Sequence, residues 1–266
     1  MPTARHPHRV TDWHASAAVA LLASCTLQAL AAQPAASVSA TAATCTAHSS
    51  DRAPTVVELY TSEGCSSCPP ADRWLSSLKT QSDVLALSFH VNYWDRLGWP
   101  DRFATPALTQ RQHQLPANIK SNQVYTPQVL VGGNDWRRWP TLPAANPRDA
   151  ALPKLHLRRE GSGTVVLDVA ADVRQAGVSA GQYSGYWAVL EDGHQSQVKA
   201  GENAGETLHH DHVVRLYQPV PAWPAGTAQR LSLAVNSGLP AYPRRVVFVL
   251  QDAATQKPIQ ALSLGC

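Results

Sequence analysis

Cys65 and Cys68, separated by Ser66 and Ser67, are spaced so that two thiols can close a local disulfide or share one ligand. They follow a short apolar run over 55–60 and the polar turn Thr61-Ser62-Glu63-Gly64. They precede a stretch, 71–79, in which Trp74, Leu75 and Leu78 fall on one helical face. That order puts the first sulfur near a helix N-terminus, where unpaired N–H groups and the helix dipole favour a thiolate. The second sulfur lies within reach to resolve a mixed disulfide. Thiol–disulfide exchange is therefore the first expectation. A static local bridge is the second. A soft-thiolate site for copper(I) or zinc, with His90 as a further ligand, is the third. The only methionine is Met1, so a chain without its leader has no thioether to offer copper.

Other residue types in the chain support weaker readings. In His209-His210-Asp211-His212, an extended strand places His210 and His212 on one face, as a metal-binding pair or as a polar strand edge. Glu202 and Asn203 sit in the Gly-bounded loop Gly201-Glu202-Asn203-Ala204-Gly205. They either shape an interface between two domains or simply form the turn. Asp95 stands beside Trp94 and Trp99 and is a candidate groove residue. Tryptophans pack more often than they bind, and Trp136 and Trp139 share that ambiguity.

The elements that must position these residues change character along the chain. Residues 55–60 and 84–93 read as strands. A helix is expected over 104–114 with Pro106 in its first turn, and a short strand over 128–131 closes on Gly132-Gly133-Asn134. Asn146-Pro147 starts a helix that Pro153 limits to one or two turns. Beyond Pro153, seven short runs (154–159, 164–169, 186–190, 213–217, 231–235, 245–250 and 259–264) are separated by Gly, Asp, Asn and Pro, the pattern of an antiparallel sandwich. The expected organisation is a linker over 32–53, an α/β domain over 54–153 and a β-rich, sandwich-like domain over 154–266.

With 266 residues the chain has room for one or two domains with real cores. Its 44% hydrophobic and 15% charged residues exclude a disordered acidic tail and a charged helical rod. Lys and Arg number 22 against 19 Asp and Glu; without a larger surplus or a basic run, nucleic-acid binding is not expected. No Gly-rich nucleotide loop is evident, so no cofactor is implied.

The N-terminus reads as an address. Arg5 and Arg9 precede the apolar stretch 15–22, and Ala29 and Ala31 fit the −3 and −1 positions of a signal cleaved after residue 31. Leu22-Ala23-Ser24-Cys25 also resembles a lipobox, in which Cys25 becomes a lipidated first residue. Ser16, Ser24, Thr26 and Gln28 interrupt the run, which falls short of the ~20 apolar residues of a membrane span. The mature protein is expected in the periplasm or outside the cell, or on a membrane through a lipid. Either processing removes Cys25 from the thiol pool. Of the five cysteines an even set then remains, which suits an oxidising compartment. With Cys65 and Cys68 as the local pair, Cys45 and Cys266 are expected to tie the chain ends together as a structural disulfide.

A strand, a tight turn, Cys-x-x-Cys and a helix resemble a thioredoxin-like domain over 54–150. Four motifs are similar to those of a bacterial family of secreted thioredoxin-like proteins of unknown function. They are Glu63-Gly64-Cys65-Ser66-Ser67-Cys68-Pro69-Pro70-Ala71-Asp72, His90-Val91-Asn92-Tyr93-Trp94-Asp95-Arg96-Leu97-Gly98-Trp99, Val124-Tyr125-Thr126-Pro127-Gln128 and the 201–205 loop. The resemblance implies Cys65 as attacking thiol, Cys68 as resolving thiol, and Thr126 with Pro127 as a cis-proline platform for an extended substrate chain. It also makes Glu58 a candidate proton acceptor for Cys68; a solvated strand-end carboxylate is the other reading. The sequence departs from ordinary thioredoxins in two places. Gly64 replaces the usual aromatic residue, and Pro69-Pro70 requires either a helix that starts at Pro69 or an irregular first turn.

The function expected from all this is an exported thiol–disulfide oxidoreductase. It would act on an unknown protein or small-thiol substrate, with an unknown partner to recharge it. The rival is a non-catalytic binding or scaffold protein with a structural Cys65–Cys68 bridge, followed by a copper carrier.

Overall fold

The computed structural model describes residues 45–115, 119, 123–143, 152–161, 163–171, 181–235 and 241–265. The predicted leader, Cys25, the short helix after Asn146 and Cys266 lie outside the described residues. Among the described residues, chain order gives β1 (Thr46–His48), β2 (Thr55–Thr61), α1 (Pro69–Ser77), β3 (Val84–His90), α2 (Pro106–His113), β4 (Gln128–Val131) and β5 (Asn134–Asp135). They continue with β6 (Leu155–Glu160), β7 (Thr164–Val169), β8 (Gln182–Glu191), β9 (His194–Gln197) and β10 (Thr207–His210). The last four are β11 (Val213–Pro224), β12 (Gln229–Ala234), β13 (Arg244–Asp252) and β14 (Pro258–Leu264).

Sequence chemistry accounts for the central elements. The strands β2 and β3 are β-branched and aromatic, pair in parallel from Thr55↔Val84 to Thr61↔His90, and are buried on both faces, as continuous apolar runs should be. Helix α1 begins at Pro69 with Cys68 as its N-cap, so the Cys-x-x-Cys lies in the loop ahead of the helix. Pro is tolerated there because first-turn N–H groups have no intrahelical partner. In α2, Thr105 caps the start by accepting from the Leu108 N–H at 3.3 Å. Gly132 and Gly133, at φ 56° and 74°, make the two-residue turn from β4 to β5 that side chains with a Cβ resist.

The strands form sheets in the orders β14-β13-β8-β11-β3-β2-β4-β5, β1-β6-β7-β12 and β10-β9. One face of the eight-stranded sheet buries Tyr60, Phe89, Tyr186 and Val249 with Leu108 of α2. The opposite face is covered at one end by α1 and the residue after it, through Ala71, Leu75 and Leu78 on Val57, Leu59 and Val129. At its other end the four-stranded sheet packs Leu157, Val165 and Leu167 against Trp187 and Phe248. Burying Leu75, which is 1% exposed, contributes about 2 kcal/mol.

This corrects the expected fold class. The chain is not an α/β thioredoxin-like domain followed by a separate sandwich. It is dominated by β-strands, with α-helices of only nine and eight residues among those described. The eight-stranded sheet takes strands from both sides of residue 153. The strand–turn–helix at 55–77 is present as read. What surrounds it is decided by remote pairing: β3 meets β11 in parallel at Val213↔Ser88, and β11 continues antiparallel along β8. Periodicity reports local structure, and such edge pairing leaves no trace in it.

Candidate functional site

Cys65 and Cys68 are joined in a disulfide with Cα atoms 5.4 Å apart. Both residues are fully buried, whereas Ser66 and Ser67 between them are exposed. The Cys68 N–H donates to the Cys65 carbonyl at 3.1 Å, and the Ala71 and Asp72 N–H groups donate to the Cys68 carbonyl. Ser67 Oγ lies 3.4 Å from Cys65 Sγ.

The loop is gripped from a distant part of the chain. Glu202 accepts from the Ser66 N–H at 3.0 Å and from Ser66 Oγ at 2.8 Å. The buried Asn203 amide donates to the carbonyls of Glu63 at 2.8 Å and Cys65 at 3.0 Å. The 201–205 loop thus serves the disulfide directly, rather than forming only a turn.

On the other side, Trp94 packs against Gly64: a Cβ on Gly64 would lie 2.9 Å from Trp94 Cβ. Trp94 Nε1 then donates to Thr126 Oγ1 at 2.8 Å, and the Thr126–Pro127 peptide bond is cis. Trp94 therefore connects the cysteine loop with Thr126 and Pro127.

Beneath the loop lies a cluster of buried titratable groups that sequence reasoning largely missed. Glu63 accepts from Trp99 Nε1 at 2.8 Å, and its other oxygen is 3.3 Å from His210 Nε2. The Glu63 N–H donates to Asp101 at 2.9 Å, and Asp101 pairs with His90 Nδ1 at 2.7 Å. Asp95 accepts from the Asp101 N–H at 3.0 Å, so it organises this loop rather than lining a groove. The His90 and His210 rings meet edge to face with centroids 4.9 Å apart. His210 arrives on β10, which packs against α1. Asp72, one turn along α1 from Cys68, accepts from Thr61 Oγ1 at 3.0 Å.

Burial and partners split these groups. Burial raises the Asp72 carboxyl above its ordinary value, and the charges of His210 and His90 pull back only part of that rise. Burial also opposes charge on Asp101, but His90 outweighs it and the carboxyl titrates low. Glu63 is likewise held low, since His210, Ser196 and Trp99 together overcome its burial. Burial disfavours charge on His90, but the Asp101 carboxylate prevails and its imidazole titrates high.

Several expected residues lie elsewhere. Glu58 is on the face of β2 turned away from α1, where it accepts from Arg111 at 2.7 Å and from Tyr186. It is a buried partner of a guanidinium enclosed by Tyr60, Phe89, Tyr186 and Tyr217, neither solvated nor beside Cys68. His210 and His212 do not share a face: β10 ends at His210, and His212, at φ 58°, turns to Arg245 and Asp192. Burial and Arg245 push the His212 imidazole down to about 4, burial being the larger cause. Trp136 and Trp139 pack on the α1 side of the sheet. Among the described residues no three His, Cys, Asp or Glu side chains are arranged to hold a metal ion. No described helix is long and apolar enough to cross a membrane.

Two solved structures share the architecture. The crystal structure of protein AGR_C_4864 from Agrobacterium tumefaciens is 26% identical, with a TM-score of 0.57, over 81% of this chain and 95% of that one. HBP35 of Porphyromonas gingivalis has a TM-score of 0.57 at 15% identity, over 82% of this chain and 76% of that one, a likeness of fold alone. No curated protein matches the chain. The family model described as "Protein of unknown function (DUF1223)" matches residues 56–251, a span that includes both cysteines, Thr126 and the loop that grips them, and the chain belongs to that family.

Proposed function

We propose that the protein is an exported thiol–disulfide oxidoreductase with Cys65 and Cys68 as its reacting pair. The observation that carries this reading is the placement of the bridge. It sits at the N-cap of α1, and Glu63 of the same loop is tied to Asp101, which pairs with His90, and lies beside His210. The helix dipole favours a thiolate there. Pro69 and Pro70 supply no N–H, so the dipole acts without first-turn donors from those two positions.

In the oxidising direction a substrate thiolate attacks Cys65 Sγ, the Cys65–Cys68 bond breaks, and Cys68 leaves as thiolate. A second substrate thiolate then attacks the substrate sulfur of the mixed disulfide, and Cys65 leaves with the remaining electron pair. The two substrate protons finish on the two cysteines. The reducing direction is the reverse, with Cys65 attacking first and Cys68 resolving. Asp72, with its raised carboxyl, is suited to exchange a proton with Cys68, the role expected of Glu58 from the sequence. Thr126 and Pro127, tied to the loop through Trp94, serve as the platform for the substrate chain. The reduction potential and the recharging partner set the direction.

The leader over 1–31 delivers the protein to the periplasm or beyond, or lipidation at Cys25 holds it on a membrane. A Cys45–Cys266 bridge fits this setting. Cys45 packs in the cluster that contains Leu264, the last residue of β14.

The complete burial of both cysteines favours a second reading, a binding or scaffold protein whose local bridge is static. The reduction potential separates the two, measured by equilibrating the protein in graded thiol buffers, alkylating and reading the peptides by mass. A potential above about −230 mV supports exchange, and one below about −300 mV supports a structural bridge. A Cys68→Ser variant should then trap mixed-disulfide partners through Cys65; a variant that traps none sides with the scaffold.

A further inference from the structure

Glu202 is exposed, yet its carboxylate is seated on both donors of Ser66, the residue next to Cys65, at 3.0 and 2.8 Å. Those hydrogen bonds hold the carboxyl below its ordinary value, with Arg96 adding a smaller attraction. Asn203 fastens the same loop to the Cys65 carbonyl. An acceptor from a remote part of the chain therefore occupies both donors of the residue next to Cys65.

We infer that the N–H and Oγ–H of Ser66 form an acceptor-binding subsite beside the disulfide, occupied in the resting protein by Glu202. The substrate it fits is a thiol with a carboxylate or a peptide carbonyl close to its sulfur. When such a substrate forms the mixed disulfide with Cys65, its oxygen replaces the Glu202 carboxylate on Ser66. A thiol without an acceptor must break the same two hydrogen bonds and puts nothing in their place. This rests on the exchange reading above, and it assigns that site its substrate class.

The test is the rate at which thiols reduce the native disulfide, each rate divided by that thiol's rate with a simple aliphatic disulfide. The probes are 3-mercaptopropionate for the carboxylate, N-acetylcysteine amide for the peptide carbonyl, and 2-mercaptoethanol as reference. In Glu202→Ala, a carboxylate-bearing thiol should gain about ten-fold over the reference, the worth of a charge-assisted hydrogen bond. The uncharged carbonyl thiol should gain about three-fold through the same donors. Adding Ser66→Ala removes the Oγ donor and keeps the N–H, so it should reduce both gains by about half. Equal gains for all three thiols would make Glu202 a simple cover and overturn the assignment. So would a gain confined to 3-mercaptopropionate that disappears at about 0.5 M salt and ignores Ser66→Ala, since that is charge repulsion alone. Failure of the exchange reading looks different: a potential below about −300 mV with the acceptor preference intact.

Discussion

The Asn203 side chain and the Cys65 backbone meet across 138 residues of sequence, with the amide donating to the cysteine carbonyl at 3.0 Å and to Glu63 beside it. Both residues are buried, and the Cys65 carbonyl also accepts from the Cys68 N–H at 3.1 Å. Asn203→Ala takes the amide away from the Glu63 carbonyl and leaves the Cys65 carbonyl with the Cys68 N–H, and the protein should lose about 1–3 kcal/mol. Urea denaturation measures the loss, and an unchanged midpoint would show that the loop does not hold the cysteines.

Gly64→Ala places its new Cβ 2.9 Å from Trp94 Cβ, an atom fixed to its own backbone. Trp94 must then shift, and its bond to Thr126 lengthens or breaks. The expected cost is about 1–3 kcal/mol, with a change in the near-ultraviolet circular dichroism of tryptophan. A variant with wild-type stability and spectrum would contradict this packing.

Arg111 and Glu58 are 8% and 5% exposed at their side chains. Arg111→Ala leaves the Glu58 charge with Tyr186 as its remaining partner, and a loss of about 3–5 kcal/mol is expected. Arg111→Met together with Glu58→Leu removes both charges, and it should recover most of that loss. Chemical denaturation of the single and double variants gives the comparison.

His90 and Asp101 set a pH window. His90 is raised above its ordinary 6.5, so its contribution is full below 6.5 and is lost as pH rises through the folded value. Asp101 is held below its ordinary 3.8, so its contribution is present above 3.8 and is lost as pH falls through the depressed value. The pair supports the fold best between these limits. His90→Gln should flatten the fall in stability on the alkaline side. Urea midpoints from about pH 6 to 9 would show it; parallel curves for both proteins would assign the alkaline loss elsewhere.

The seven strand-like runs read beyond Pro153 all correspond to strands, because they are short, largely apolar and bounded by turn residues. The strand β9 was not legible. Its inward positions are His194 and Ser196, so a polar interior erased the alternation that marks a strand. The strand β1 was hidden in an Ala- and Ser-rich stretch that reads as linker. At the site, the cysteines, Thr126 and the 201–205 loop were visible as types and motifs. The pairing of Glu63 with His210 and the burial of Asp101 were not, since each depends on two segments remote in sequence. Glu58 was legible as a strand residue, but its direction was decided by Arg111, which nothing near it in the sequence announced.

The meeting of Ser88 with Val213 also bears on how the chain is made. As synthesis proceeds, β2 and β3 emerge long before β11, and until β11 arrives one edge of β3 exposes unpaired N–H and C=O groups beside an apolar face. Such an edge is a template for pairing with the wrong chain. The order of the strands thus leaves that edge of β3 open until residues 213–224 have been made.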